Sequence, residues 1–247
     1  MIHSFLLIGQ SNMAGRGEIS EAVPVDESHI KTLRNGRWQP MFRPINPDRS
    51  FSGVNLGESF ADAYAKKFNV DVGLICCADG GTSLDQWQEG SLLYDNAVYQ
   101  ARLAMRTSAL AGVLWHQGEG DCEESLARSY KTRFEKILFA LKRDLKITDI
   151  PILIGGLGDY FKDNERWPTQ RNYYIVNEQL QQVAKENSMV GYVSADGLKP
   201  KDDGLHFNAK SLYEFGLRYF DEYLNQYDKN KIFEEHTEEV RSAMEAL

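Results

Sequence analysis

Five short apolar runs punctuate the chain, each followed by a segment of helical period, and nothing else in the sequence restricts the fold as tightly. The runs are SFLLI (4–8), DVGLICCA (71–78), AGVLWHQ (111–117), IPILIGGL (150–157) and MVGYVSA (189–195). Between and after them LGESFADAYAKKF, LYDNAVYQARLAMR, EESLARSYKTRFEKILFALKRDL, QRNYYIVNEQLQQVAKEN and NAKSLYEFGLRYFDEYLNQY repeat apolar residues at intervals of three and four. Strands that are apolar on both faces and joined by helices pack as a parallel sheet covered on each side. The expected fold is α/β: a three-layer α/β/α sandwich around a five-stranded parallel sheet, flavodoxin-like in arrangement.

No internal repeat or low-complexity linker divides the 247 residues, so one domain is expected over residues 1–227. Residues 228–247 are highly charged helix formers and read as an exposed appendage or an oligomer contact; the oligomeric state is not written in the sequence. Residues 14–56 hold VPVD, NGRWQP and RPINPDRS with little periodicity, which predicts a long irregular excursion over one rim of the sheet.

Lys and Arg number 28 against 36 Asp and Glu, for a net charge of −8. A field of that sign repels phosphate backbones and anionic lipid surfaces, so neither nucleic acid nor membrane is an expected partner. No stretch approaches the roughly 18 apolar residues of a membrane span. The chain enters an apolar run directly after MIHS, without a basic leader, and reads as cytoplasmic or as trimmed of a secretion signal. Cys76, Cys77 and Cys122 make no even framework, and the adjacent pair reads as two small reduced core residues.

Ligands of an open α/β sheet collect beyond the carboxyl ends of its strands. Gly9-Gln10-Ser11-Asn12 follows the first run, Asp79-Gly80-Gly81-Thr82 the second, and His116-Gln117-Gly118-Glu119 the third, while DDGLHFN (202–208) follows the last. Ser11 alone reads as a helix N-cap. Its functional reading is a hydroxyl on a sharp strand-to-helix turn, where Gly9 relieves crowding and the helix N-terminus favours negative charge. GQSNM is not the G-x-S-x-G elbow, because Met13 stands at its last position. Asp203 and His206 are spaced for a surface Asx turn, or for a carboxylate on imidazole Nδ1 that leaves Nε2 free to take a serine's proton. A tetrahedral oxyanion would need donors, and the backbone N–H groups of Ser11 and Gly80 and the Gln117 carboxamide supply them, with the adjacent Gly81 as alternative to Gly80. Taken singly these residues are a turn and a polar rim. Glu119 and Asp121 brace loop amides, or Glu119 competes with Asp203 for the imidazole.

Together GQSNMAGRG, GGTSLDQW, WHQGEGD and DDGLHFN, in that order over residues 9–208, resemble the signature blocks of the SGNH hydrolase superfamily. The branch they resemble holds sialate O-acetylesterases and the acetylxylan esterases of carbohydrate esterase family 6. The resemblance implies a serine esterase acting through an acetyl-enzyme, with Ser11 as nucleophile and Asp203 and His206 completing a catalytic triad. It implies Ser11, Gly80 and Gln117 as oxyanion donors, Gln117 standing where most of the superfamily has asparagine. The implied substrate is an acetylated carbohydrate, acetylxylan or O-acetylated sialic acid in type, with no cofactor and no metal.

Trp38, Trp87 and Trp167 are candidates for a sugar platform or for packing against the sheet, and Trp115, inside a strand, for the core. Competing readings remain. A flavodoxin-like phosphate or nucleotide binder would use the helix start after GQSN, but the P-loop lysine and the G-x-G-x-x-G spacing are missing. A carbohydrate-binding relative without catalysis would keep the same groups. A metal hydrolase built on His116, Asp121 and His206 has no ligand spacing behind it.

Overall fold

The computed structural model describes residues 1–245, with side chains to residue 229. Each of the five expected runs is a strand: β1 (Ile2–Gly9), β4 (Val72–Cys76), β5 (Ser108–His116), β6 (Ile152–Gly155) and β7 (Val190–Val193). All five are parallel, and their side chains alternate between two apolar layers. Leu6 and Ile8 of β1 face α3 (Leu92–Ala104), α5 (Tyr130–Leu145) and α6 (Tyr173–Glu186). Phe5 and Leu7 face α2 (Leu56–Phe68) and α7 (Ala209–Glu245). The three-layer sandwich follows from that alternation.

The strand count is larger than expected. Among the described residues the sheet has seven strands in the order β3-β2-β4-β1-β5-β6-β7, because residues 30–40 of the supposed excursion form a hairpin on its edge. β2 (Ile30–Arg34) runs parallel to β4, and β3 (Arg37–Pro40) returns antiparallel. Asn35 and Gly36 close the hairpin with φ of 51° and 71°, the left-handed pair that matches strand twist in a two-residue turn. Only Ile30 and Thr32 of β2 are buried, so an edge strand with a single covered face carries a weak apolar signature.

Helix boundaries follow local chemistry. Asn55 accepts from Gly57 N–H while Glu58 reaches back to Asn55 N–H, a reciprocal cap that starts α2, and Asn69, left-handed at φ 54°, ends it. The segment expected as one helix over 123–145 breaks at Ser129 into α4 (Glu124–Arg128) and α5. The last helix continues as backbone to Glu245; the exposed appendage or contact expected over 228–247 otherwise lies outside the described residues.

From β1 at the centre the chain builds β4 on one side and then crosses to β5 on the other. A crevice opens at such a reversal, at the carboxyl end of β1. Ser11 opens α1 (Ser11–Ala14) at that end.

Candidate active site

The turn that presents Ser11 depends on Gly9. Its φ is +136°, and a β-carbon there would sit 2.0 Å from the His116 carbonyl oxygen, so only glycine lets β1 end against β5. Gln10 follows in extended conformation and Ser11 is the first helical residue, not the cap. With only four residues, α1 sums few peptide dipoles, and the expected help from a helix N-terminus is correspondingly small.

The partner comes from the loop between β7 and α7. Asp203 Oδ1 accepts the backbone N–H groups of Leu205 (2.8 Å) and His206 (2.9 Å), and its Oδ2 lies 2.8 Å from His206 Nδ1. Thus the Asx turn and the carboxylate–imidazole pair are one object. His206 Nε2 then lies 3.0 Å from Ser11 Oγ, across 195 residues of sequence. Burial pushes the Asp203 carboxyl up, but the two backbone N–H groups and the imidazole outweigh it and hold the group below the usual carboxylate range.

Four side chains fix this loop. Trp167 Nε1 donates to the Asp203 carbonyl (2.8 Å), Asn164 Nδ2 to that of Gly204 (2.7 Å) and the Tyr160 hydroxyl to that of Leu205 (2.8 Å). From the other side Asn12, buried next to Ser11, accepts the Phe207 N–H at 3.0 Å.

Glu119 is not at His206. Its Oε1 takes Asn12 Nδ2 (2.5 Å) and faces His116 Nε2 (3.3 Å), and its buried Oε2 has no partner among the described residues. Burial pushes this carboxyl up, yet the His116 imidazole and the hydrogen bonds from His116 and Asn12 hold it below its usual value. Asp121 braces loops, accepting Leu84 N–H, Gln117 Nε2 and Arg133 Nη1. His116, Asp121 and His206 therefore point at different partners, and among the described residues no three His, Cys, Asp or Glu side chains gather as a metal would require.

The two outer oxyanion candidates are engaged elsewhere. Gly80 N–H donates to Asp48 Oδ2 at 2.9 Å. Gln117 is completely buried: its amide donates to Asp121 Oδ2, the Thr82 carbonyl and Gln10 Oε1, and its own oxygen accepts from the Tyr130 hydroxyl. The carboxamide thus points beneath the rim rather than into the cleft. A different amide lines the cleft beside Ser11. Gln10 Oε1 collects the N–H groups of Gly118 (3.4 Å) and Gly120 (3.1 Å) as well as Gln117 Nε2 (3.2 Å), which fixes which end is oxygen. Its Nε2 has no hydrogen-bond partner among the described residues, and neither has the Ser11 N–H.

A cavity of about 370 Å³ lies over these groups, lined by Gln10, Ser11, Gly80, Gly81, Trp167 and His206, among others. Arg16, Arg49 and Phe51 also reach it; Arg16 lies within the GQSNMAGRG block without a role of its own read from it, and the other two had no motif to announce them. Arg16 is buried against Asp48 at 2.7 Å, and Asp48 accepts in addition from Ser52 and Gly80. Asp48 and Arg49 come from the irregular stretch RPINPDRS, where spacing carries no code. Of the tryptophans, Trp167 borders the cleft, whereas Trp87 is core, edge-on to Trp115 at 5.7 Å, and Trp38 lies over Gly73 at the sheet edge with its indole N–H on Thr107. Cys76, Cys77 and Cys122 are free thiols, and burial pushes that of Cys77 up to about 12.

Comparison with known proteins agrees with this frame. A probable carbohydrate esterase of Arabidopsis thaliana is 28% identical over 247 residues, covering 90% of each chain. A crystal structure of an Arabidopsis thaliana protein superposes with a TM-score of 0.81 at 27% identity, over 91% of this chain and 98% of that one. NanS shares the fold, with a TM-score of 0.73 at 18% identity over 92% of this chain and 98% of that one. The model of the family described as carbohydrate esterase, sialic acid-specific acetylesterase, matches residues 1–225. From its first strand into its last helix, then, the chain belongs to the sialic acid-specific acetylesterase family of carbohydrate esterases, and it is an esterase.

Proposed function

We propose that this esterase removes O-acetyl groups from carbohydrate through an acetyl-enzyme formed on Ser11. The observation that carries the reading is the unbroken line Ser11 Oγ to His206 Nε2 (3.0 Å) and His206 Nδ1 to Asp203 Oδ2 (2.8 Å). Ser11 attacks the acetyl carbonyl while His206 Nε2 takes its proton, and Asp203 holds the tautomer and balances the imidazolium. The intermediate collapses when His206 returns that proton to the departing sugar oxygen. Water, deprotonated by the same imidazole, then releases acetate and restores Ser11.

The developing oxyanion is assigned to the N–H of Ser11 and to Gln10 Nε2, the donors beside the serine that have no other partner among the described residues. Gly80 serves instead as a bare wall: a side chain there would come 3.3 Å from Ser11 Cβ and collide with Arg16. Gln117 acts at one remove, by locking the Gln10 carboxamide. Glu119 supports His206 through Asn12.

Replacing Ser11 by Ala tests the reading. Hydrolysis of a chromogenic acetate ester should fall by at least about 10³-fold with the melting temperature kept. Turnover near the wild-type level would reject the mechanism and leave a carbohydrate-binding protein without catalysis. For the oxyanion, Gln10→Glu keeps an acceptor for Gly118 and Gly120 but removes the donor. It should lower kcat by about 10²-fold or more, the usual effect of one lost donor, with KM little changed. An unchanged kcat would return that role to another group.

A further inference from the structure

Three of the four tryptophans are spent on packing: Trp87 and Trp115 lie in the apolar layer that faces α3, α5 and α6, and Trp38 packs against it. Trp167 belongs to neither apolar layer. It stands half-buried in the irregular segment before α6, with Arg166 and Pro168 exposed on either side, and it borders the central cavity together with Leu205 and His206. An indole left open in this way keeps apolar surface in water that a bound molecule could cover.

Polar contacts decide where this ring stands. Asn164 Oδ1 accepts the N–H groups of Arg166 (3.0 Å) and Trp167 (3.1 Å), and Asn164 Nδ2 donates to the Gly204 carbonyl (2.7 Å). From the ring itself Nε1 donates to the Asp203 carbonyl (2.8 Å). The residue so held is the one whose carboxylate sets the tilt of His206, so a swing of the indole passes to the imidazole through Asp203 alone. The reaction meets the same ring from the other side. His206 Nε2 returns its proton to the departing alcohol, which places the alcohol half of the ester on the side of Ser11 where Leu205 precedes the histidine and Trp167 holds Asp203.

We infer that Trp167 is a positioning residue through which the alcohol half of the ester aligns the Asp203–His206 pair; this rests on ester hydrolysis at Ser11 as proposed above. A cyclic alcohol such as a pyranose lays a C–H face on the indole, covers its open side and keeps Nε1 on the Asp203 carbonyl, which holds His206 where proton transfer needs it. A small open-chain alcohol leaves the ring uncovered and free to swing. Trp167 therefore favours cyclic alcohols in kcat as well as in KM, because the contact that binds the alcohol also aligns the base.

The test compares kcat and KM for an acetylated pyranoside and for ethyl acetate in the wild-type protein, in Trp167→Phe, which keeps a flat ring but removes the N–H, and in Trp167→Ala. In Trp167→Phe, kcat for the pyranoside ester should fall by about tenfold or more with KM within about threefold, while kcat for ethyl acetate falls by about twofold at most. Trp167→Ala should in addition raise KM for the pyranoside ester. If Trp167→Phe fails to fold, Asn164→Ala, which frees the segment from outside the cleft, takes its place with the same unequal fall expected. An equal fall for both esters, as a merely structural role would give, an unchanged kcat in Trp167→Phe, or an unchanged KM in Trp167→Ala overturns the inference and leaves the ester chemistry standing. A wild-type protein inert towards both esters overturns that chemistry as well.

Discussion

Asn12 shows how much can depend on a residue with no chemistry of its own. Buried beside the serine, it accepts the N–H of Phe207, immediately after the histidine, and hands its amide protons to Glu119 and, at 3.4 Å, to the Leu205 carbonyl. It therefore ties the turn that carries Ser11 to the loop that carries His206, and Glu119 keeps the amide from flipping. Asn12→Ala should lower kcat towards a chromogenic acetate by about tenfold or more and cost about 1–3 kcal/mol of stability, since it strands a buried N–H and a buried carboxylate. Kinetics alongside denaturant melts check this, and an unchanged kcat in a destabilised protein would reduce Asn12 to packing. Gly9 is stricter. Gly9→Ala puts a methyl group into the His116 carbonyl, so it should abolish soluble expression or leave a protein with both stability and activity lost.

At the scale of the element, α2 carries a pH dependence away from the cleft. Glu58 closes the cap at Asn55 and pairs with Arg43 at 2.7 Å, but its burial dominates and raises its carboxyl from 4.5 to about 6. A raised carboxyl favours the fold while protonated: its contribution is complete below the unfolded value and is lost as pH rises through about 6. The difference is worth about 2 kcal/mol, so wild-type stability should decline between about pH 4.5 and 7 by that order, and Glu58→Gln should flatten the decline. Denaturant melts at several pH values check it; a wild-type profile that rises through that interval would contradict it. Elements also explain what the sequence reveals and hides. β1 and β4 to β7 are covered on both sides and announce themselves as unbroken apolar runs. β2 and β3, at the edge, spend half their side chains on solvent, and the signal that was available there, Asn35-Gly36, is a turn signal rather than a strand signal.

Over the whole molecule, the serine and the histidine come from opposite ends of the chain and meet only when the sheet is complete. Phe207, next to the histidine, is fully buried among Phe215, Leu212 and Met13 in one of the two apolar layers. Activity and global structure should therefore be lost together in a urea titration, with ester hydrolysis and tryptophan fluorescence giving one midpoint. Loss of activity well before the fluorescence change would mean that the loop detaches on its own. The same geometry sets the limits of sequence reading. That Ser11, Asp203 and His206 come together was legible because each sits within a short block whose residue types are chemically related. The orientation of Gln117 was not legible, because a block gives the residue but not the direction of its side chain, here downward to Asp121 and Tyr130. The pairing of Arg16 with Asp48 was silent because, although Arg16 lies in the first block, Asp48 and the neighbouring Arg49 sit in irregular chain. One further feature bears on handling. β1 starts at Ile2 in the middle of the sheet and runs eight residues to the cleft, so the almost fully exposed Met1 lies on the opposite floor, roughly 25 Å away by strand rise. A protein anchored to a bead or fused to a carrier through that end presents its open mouth outward, with access left for a substrate as bulky as an insoluble fibre.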